Sequence, residues 1–342
     1  MYLQSLATAF PPHSFTQPEC FQILSESGAM DNLRGRSREL LQKVLTGDSG
    51  IETRRFCDPD LRKTFDLDAG ELHRHFEEHA PQLASEALLK ACDLASLKPS
   101  GIDALLVCTC TGYLCPGLSS YISERLGLRP NSFLQDLLGL GCGAALPLLE
   151  TARGLLAASP QAIVATVAVE ISSAAFYLND EPGVLISLCL FGDGAAAAIW
   201  KGENKGGQFR FQNFRTIHKP EYREKIRFVN AGGRLKNQLH RDVPALAAKA
   251  VATLFEMRSN APDRLIAHTG GRDVIEAIEH AIPSHRLNET REILRQYGNI
   301  SSPSVLAALE QSLANPAESE SLWLTAFGAG FAAHCGELKQ EF

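Results

Sequence analysis

Three residues that lie far apart in the chain are of types that could together form a nucleophilic site. Cys142 stands between Gly141 and Gly143 at the predicted start of a helix, where free backbone amides and the helix dipole favour a thiolate. His268 ends an apolar segment and precedes two glycines, and Asn299 lies in a predicted turn. Each also has a structural interpretation, as a buried thiol, a core histidine or a turn residue.

The predicted elements place these residues at the ends of strands and helices. Apolar runs predict strands at 2–6, 104–110, 162–169, 184–190, 195–200, 264–268, 322–326 and 331–333. Helical spacing predicts helices at 18–27, 37–45, 71–97, 117–126 and from Cys142 onward, with Pro147 in the first turn of the last one. Two F-G-x-G turns, at 191–194 and 327–330, suggest an internal repeat. The pattern indicates two similar halves of parallel α/β layers, which divide in the polar stretch 201–225.

Composition excludes several classes of protein. The 342 residues are 45% hydrophobic and 21% charged, with a net charge of −6 spread along the chain, which argues against nucleic acid as a partner. No apolar run approaches the ~18 residues of a membrane span. The nine scattered cysteines indicate free thiols and a cytoplasmic location. Cys108, Cys110 and Cys115 lack the spacing of common zinc sites, so no metal is expected.

Taken together and in order, these segments resemble a known family. The resemblance rests on Gly139-Leu140-Gly141-Cys142, on 190–196 (LFGDGAA), on 266–271 (IAHTGG) and on the long run 287–302. The chain is similar to type III polyketide synthases, the chalcone and stilbene synthase-like members of the thiolase-like ketosynthase superfamily. The similarity extends over nearly the whole chain.

The resemblance implies a thiolase-like α/β fold with five αβαβα layers and two pseudo-symmetric halves. Residues 1–212 would form the half with the nucleophilic cysteine, and 213–342 the half with the catalytic histidine and asparagine. Cys142 would accept an acyl group from an acyl-CoA starter, and His268 would stabilise its thiolate. His268 and Asn299 would then donate hydrogen bonds to the thioester oxygen of malonyl-CoA as CO2 leaves. No cofactor beyond the coenzyme A thioester substrates is implied.

The same resemblance assigns the surroundings of the site. Phe191 matches a gatekeeper between the entrance tunnel and the cavity, although it could also be an aromatic packed at a strand end. Arg54 and Arg55 stand where relatives contact coenzyme A, with a solvated surface pair as the alternative. Cys115 occupies the position from which relatives reach across a homodimer interface. The cavity would be lined by Cys110, Thr111, Ser172, Ala175, Asn237 and Ser301.

The expected reaction is an iterative condensation of malonyl-CoA followed by cyclisation to a pyrone or a resorcinol-type phenol. Two departures from the plant enzymes leave the number of condensations open. Asn237 stands where a second gatekeeper phenylalanine is expected, and 326–330 (AFGAG) is closer to bacterial initiating ketosynthases. One alternative is therefore a single-condensation β-ketoacyl-(acyl carrier protein) synthase III-like enzyme, with a carrier protein as partner. The other is a non-catalytic ketosynthase-like subunit.

Overall fold

The structure, a computed structural model, describes residues 1–204, 208–314 and 321–341. The described helices are α1 (Gln17–Glu26), α2 (Gly35–Thr46), α3 (Leu61–Thr64), α4 (Ala69–Leu94), α5 (Leu118–Leu126), α6 (Ala145–Ala158), α7 (Pro182–Leu190), α8 (Val243–Glu256), α9 (Arg272–Ala281), α10 (Asn288–Tyr297) and α11 (Ser304–Leu313). The described strands are β1 (Tyr2–Ala9), β2 (His13–Thr16), β3 (Thr53–Phe56), β4 (Ala104–Cys108), β5 (Phe133–Leu137), β6 (Ile163–Glu170), β7 (Gly194–Lys201), β8 (Gln208–His218), β9 (Ile226–Ala231), β10 (Arg234–Leu239), β11 (Arg264–Ala267), β12 (Ser321–Gly328) and β13 (Ala332–Glu341).

Nine of the strands form one mixed sheet in the order β11-β12-β13-β8-β1-β7-β6-β4-β5. The chain's two halves contribute separate parts of this sheet. These parts join where β1 meets β8 through the single pair Tyr2 and Arg210. Within the N-terminal part β4 runs parallel to β5 and β6, and within the C-terminal part β11 runs parallel to β12. The remaining pairs are antiparallel, so the sheet is mixed, whereas the sequence pattern predicts parallel layers.

The core clusters show how the layers stack. Helices α6 and α11 lie in the middle, because α6 contacts both β4 and β6 of one half and β12 and β13 of the other, while α11 contacts β1 and β11. Helices α4 and α5 cover the outer face of the N-terminal strands. Helix α8 covers the outer face of the C-terminal strands and packs on α9. The order helix, sheet, helix, sheet, helix matches the five predicted layers.

Most predicted elements are present with shifted ends, and one is wrong. The segment predicted as a strand at 184–190 is helix α7, which begins with Pro182 at its first position. Its apolar residues are continuous rather than periodic, so the pattern alone does not separate a buried strand from a buried helix. Helix α7 packs on α2 and β10, in a satellite core with α1. The turn at 191–194 therefore joins a helix to a strand, unlike its counterpart at 327–330.

The predicted boundary between residues 212 and 213 lies within β8, and the division into two domains there stays a prediction. Residues 205–207, inside the predicted polar boundary stretch, lie outside the described residues. Among the helices that the structure describes, none combines the length and apolar character that a membrane crossing requires.

Candidate active site

Cys142 lies in a tight turn that leads directly into α6. Residues Gly141–Gly143 form one 3-10 turn before α6 begins at Ala145, and Pro147 falls in the first turn of that helix. Gly141 has a φ of 60°, and a Cβ placed there would lie 2.8 Å from the backbone nitrogen of Ala329. The turn therefore requires glycine before the cysteine. Cys142 is 8% exposed, so its sulfur faces an enclosed space.

His268 comes to the same space from the C-terminal half. It follows β11 directly, and its backbone N–H donates to the carbonyl of Thr325 at 2.9 Å. The imidazole packs edge-on against Phe327, with ring centroids 5.3 Å apart, and is 2% exposed. Its Nδ1 has no hydrogen-bond partner among the described residues. Ring packing and the strand end therefore set its orientation, rather than a hydrogen bond to a carboxylate.

Asn299 is held by its backbone against the end of α7. Its N–H donates to the carbonyl of Leu190 at 2.8 Å, and its carbonyl accepts from the N–H of Gly192 at 3.1 Å. Its side-chain Oδ1 accepts from the backbone N–H of Ser301 at 2.8 Å and from the Thr269 hydroxyl at 3.4 Å. These contacts occupy the amide oxygen and leave the Nδ2 donors for a ligand.

The three predicted catalytic residues, Cys142, His268 and Asn299, line one cavity of about 30 Å³. A hydrogen bond with Cys110, together with hydrogen bonding and electrostatic interaction with His268, holds the pKa of the Cys142 thiol well below its usual range. Burial opposes this effect and is outweighed. The Ser301 hydroxyl also donates to Cys142 Sγ at 3.2 Å. Cys142 is therefore poised as a thiolate nucleophile.

Cys110 has the opposite character. Its hydrogen bond with Cys142, its burial and the charge of Glu170 all raise the pKa of its thiol. Its sulfur lies 3.2 Å from Ser301 Oγ, the hydroxyl that also contacts Cys142. Cys110 therefore stays protonated and serves as a donor beside the nucleophile.

Glu170 is a functional neighbour that sequence reasoning missed. This carboxyl is fully buried at the end of β6, and burial raises its pKa. It accepts from the Thr111 hydroxyl at 2.9 Å, from the Ser302 hydroxyl at 2.5 Å and from the Ser301 hydroxyl at 3.3 Å. The signal that could have found it is an ionisable residue at the carboxyl end of an otherwise apolar strand.

A second small cavity of about 30 Å³ adjoins the first. Its lining includes six of the predicted pocket residues, namely Thr111, Ser172, Ala175, Phe191, Asn237 and Ser301. Phe191 and Asn237 line both cavities, so Phe191 stands at their junction, where a gate would act. Cys110 joins this group through Ser301, whereas Cys115 is exposed and does not line either cavity. A larger cavity of about 580 Å³ has Cys110, Thr111 and Gly141 among its lining residues.

A cavity of about 390 Å³ shares Leu190, Leu239, Val243 and Gly270 with the catalytic cavity and is a candidate route from the surface to Cys142. The cations on its wall are Lys43, Arg241 and Arg272, and the Arg241 side chain is 92% exposed. Asp48 and Asp273 lie on the same wall and pair with Arg272. A ligand that carries phosphates and a long narrow arm fits this combination of a cationic rim and an apolar throat.

Arg54 and Arg55, the predicted coenzyme A contacts, are not brought to this route. Arg54 is 3% exposed and its guanidinium is occupied by protein acceptors. Arg55 donates to the carbonyl of Pro11 at 3.1 Å and lies over the ring of Tyr297. The resemblance alone assigned them to coenzyme A, with a solvated surface pair as the alternative, and the burial of Arg54 is not visible in the sequence.

The described residues contain no group of three or more His, Cys, Asp or Glu side chains that could hold a metal ion. A poised thiolate, a histidine and a free amide donor in one enclosed cavity define a site for covalent acyl transfer with stabilisation of a developing oxyanion.

Comparison with known proteins agrees with this class. The model of the FAE1/type III polyketide synthase-like protein family matches residues 7–260, and the chain belongs to that family. The 1,3,6,8-tetrahydroxynaphthalene synthase of Streptomyces griseus is 27% identical over 339 residues, which cover 96% of this chain and 89% of the relative. The phloroglucinol synthase of Pseudomonas fluorescens is 26% identical over 339 residues, with 95% of each chain covered. The 3,5-dihydroxyphenylacetyl-CoA synthase of Amycolatopsis orientalis is 31% identical over 243 residues, which cover 67% of this chain and 64% of the relative.

Solved structures confirm the fold. The 1,3,6,8-tetrahydroxynaphthalene synthase of Streptomyces coelicolor A3(2) superposes with a TM-score of 0.88 at 23% identity over 100% of both chains. PKS-I of the brown alga Ectocarpus siliculosus also gives 0.88 at 23% identity, over 99% of this chain and 98% of that one. The predicted thiolase-like fold class and the predicted enzyme class, an acyltransferase that condenses malonyl units, are both confirmed.

Proposed function

We propose that the chain extends an acyl starter by repeated decarboxylative condensation with malonyl-CoA and closes the product to a phenolic ring. The observation that carries the proposal is the convergence of the Cys142 thiolate, His268 and the free Asn299 amide on one cavity. The relatives described above, which are tetrahydroxynaphthalene, phloroglucinol and dihydroxyphenylacetyl-CoA synthases, make phenolic products, which supports ring closure.

In the loading step the Cys142 thiolate attacks the thioester carbonyl of an acyl-CoA. The new carbon–sulfur bond forms as coenzyme A leaves as a thiolate that takes up a proton. The result is an acyl-enzyme on Cys142. Hydrogen bonds with Cys110 and Ser301 stabilise the Cys142 thiolate before the attack. The same bonds stabilise it again when the thiolate is released from the acyl group.

In the extension step malonyl-CoA occupies the place that coenzyme A has left. The bond to the carboxylate breaks, CO2 leaves, and its electron pair forms an enolate on the thioester. Asn299 Nδ2 and His268 donate to the enolate oxygen, where negative charge develops, so they act on the transition state. The enolate carbon attacks the acyl group on Cys142, which expels the thiolate and gives an acyl-CoA that is two carbons longer.

We further propose that Lys43 and Arg241 contact the phosphates of coenzyme A at the rim of the entrance. Their position on its wall supports this assignment, as does the pairing of the third cation, Arg272, with Asp48. Lys43→Glu and Arg241→Glu should raise KM for malonyl-CoA with little change in kcat, and the increase should shrink at high salt. Unchanged KM values in both variants would contradict the assignment.

We also propose that the chain acts as a homodimer in a reducing cytoplasm. Strand β5 ends the sheet with an unpaired edge, and Phe133 on it is 50% exposed. Tyr113 and Leu138, near the exposed Cys115, are 63% and 40% exposed. An unpaired edge strand and exposed apolar side chains are features that a second copy would cover. Sedimentation equilibrium should show a dimer that Phe133→Glu weakens, whereas a monomeric wild-type chain would contradict this.

The function is tested by incubating the protein with labelled malonyl-CoA and a panel of acyl-CoA starters, with mass spectrometry of the products. Products that carry two or more malonyl-derived units and have closed to a ring, with loss of water or of the coenzyme A thiol, are expected. A single condensation that occurs only with malonyl-(acyl carrier protein) would instead identify a synthase III-like enzyme. Absence of both CO2 release and acyl-enzyme would identify a non-catalytic subunit.

A further inference from the structure

Arg54 is a buried cation beside the segment that carries Phe191, the predicted gate, and its hydrogen-bond acceptors are neutral. Its side chain is 3% exposed. Its Nε donates to Gln17 Oε1 at 2.9 Å, and its Nη1 donates to the carbonyls of Leu188 at 2.7 Å and Phe191 at 2.9 Å. A buried guanidinium is tolerated only where its donors are satisfied, so these three acceptors fix its position and are fixed by it.

Two of the three acceptors belong to the segment that carries the gate. Helix α7 ends at Leu190, so the carbonyls of Leu188 and Phe191 lie at and just beyond its C-terminus. A cation there is favoured by the helix dipole and by otherwise unpaired carbonyls. Phe191 lines both the catalytic cavity and the adjoining cavity. Arg54 therefore holds the backbone from which the gate side chain projects.

The aliphatic part of Arg54 packs against the turn that carries Asn299. A Cβ placed on Gly298 would lie 2.9 Å from Arg54 Cγ and 2.6 Å from the carbonyl of Leu190. The backbone of Asn299 is bonded to Leu190 and Gly192, on either side of the gate. The gate segment and the asparagine turn thus form one unit that is clamped to Arg54.

We propose that Arg54 is a positioning residue that keeps the Phe191 gate and the enolate-binding amide of Asn299 in register. The inference rests on the proposed function, since it concerns the same site. A displacement of about 1 Å in a catalytic group can cost on the order of 10²-fold in rate. Decarboxylation of malonyl-CoA needs the Asn299 amide, whereas acylation of Cys142 needs chiefly the thiolate. Loss of the clamp should therefore slow the first reaction and spare the second.

Arg54→Lys tests this directly, because a single ammonium lacks the planar fork that reaches three acceptors. We expect malonyl-CoA decarboxylation to fall roughly tenfold to hundredfold, while the rate of Cys142 acylation stays within about twofold of wild type. The matched control is Arg291→Lys. Arg291 on α10 makes a fork to the buried Glu279 on α9 at 3.3 and 2.7 Å, so its loss lowers stability without touching the clamp.

The two rates measured side by side separate the outcomes. Equal losses in both reactions, or no loss in either, would overturn the positioning role. Where Arg54→Lys does not fold, Gln17→Leu removes one acceptor of Arg54 together with the bond from Gln17 Nε2 to the carbonyl of Cys189 in the same segment. It leaves the guanidinium in place and should shift the same ratio to a smaller extent. A wild-type enzyme with neither reaction would refute the proposed function itself, which is a different result from an active enzyme with an unchanged ratio.

Discussion

Replacing Asn299 by aspartate changes one donor group into an acceptor and keeps the size of the side chain. The present amide oxygen accepts from the N–H of Ser301 and the hydroxyl of Thr269, and one carboxylate oxygen can keep both contacts. The other oxygen would then stand where Nδ2 donates to the enolate. The position is 3% exposed, so little water screens the carboxylate from the developing negative charge.

The magnitude follows from the loss of one oxyanion donor, which costs on the order of 10²–10³ in rate, to which the repulsion adds. Decarboxylation of malonyl-CoA in Asn299→Asp should therefore fall at least this far, while acylation of Cys142 survives. Release of labelled CO2 and the mass of the acyl-enzyme, measured on the same samples, report the two steps.

The pH dependence of Asn299→Asp sharpens the test. A protonated carboxyl has an O–H that can donate to the enolate, and burial raises the pKa of such a group. The decarboxylation rate of the variant, relative to that of wild type, should therefore rise as pH falls. Decarboxylation at the wild-type rate at pH 7 would refute the reasoning and leave Asn299 as a turn residue only.

Three further outcomes are expected. Ala175→Leu adds three carbons to the wall of a cavity of about 30 Å³. The preferred starter should shorten, with kcat/KM falling about fourfold for each methylene that no longer fits, and an unchanged starter profile would contradict this. Alkylation of Cys142 by iodoacetamide should extend to a lower pH than alkylation of an ordinary thiol, and in Cys110→Ala its midpoint should move upward, because the hydrogen bond with Cys110 lowers the Cys142 pKa. Burial lowers the pKa of His75 and of His334 from 6.5 to about 4. Between these pH values the unfolded chain binds more protons than the folded chain, so the folded state is fully stable above pH 6.5 and loses stability as the pH falls toward 4. Urea unfolding at pH 5 should show a loss of about 2 kcal/mol per histidine relative to pH 7, and His75→Gln and His334→Gln should each reduce it.

Cys142, His268 and Asn299 could be predicted because each stands at the end of a regular element with a glycine next to it or two residues on, and because the family resemblance joined the three. A glycine close to a reactive residue indicates a backbone conformation that other residues adopt only with strain, so this requirement is visible in the sequence. The layered α/β fold was predictable because apolar runs alternate with helical patterns, and a chain with this alternation has few ways to bury both faces of a sheet.

What the sequence could not show was set by tertiary packing. Helix α7 is apolar on every side, so its sequence shows no helical periodicity and its residues were predicted as a strand. Glu170 and Arg54 are charged residues whose burial depends on contacts from distant segments. Cavity volumes likewise depend on which side chains meet, so the residues around Ala175 were predictable as a group while the space among them was not.

The central claim is that Cys142 carries the acyl group while His268 and Asn299 serve decarboxylation. Its most direct test is to expose wild type and Cys142→Ala to acyl-CoA and malonyl-CoA, map the adduct by peptide mass, and follow release of labelled CO2. The account predicts one acyl adduct, on Cys142, in the wild type. Cys142→Ala should show no adduct but should retain measurable CO2 release from malonyl-CoA. An adduct that persists in Cys142→Ala, or that maps to Cys110 in the wild type, would contradict it.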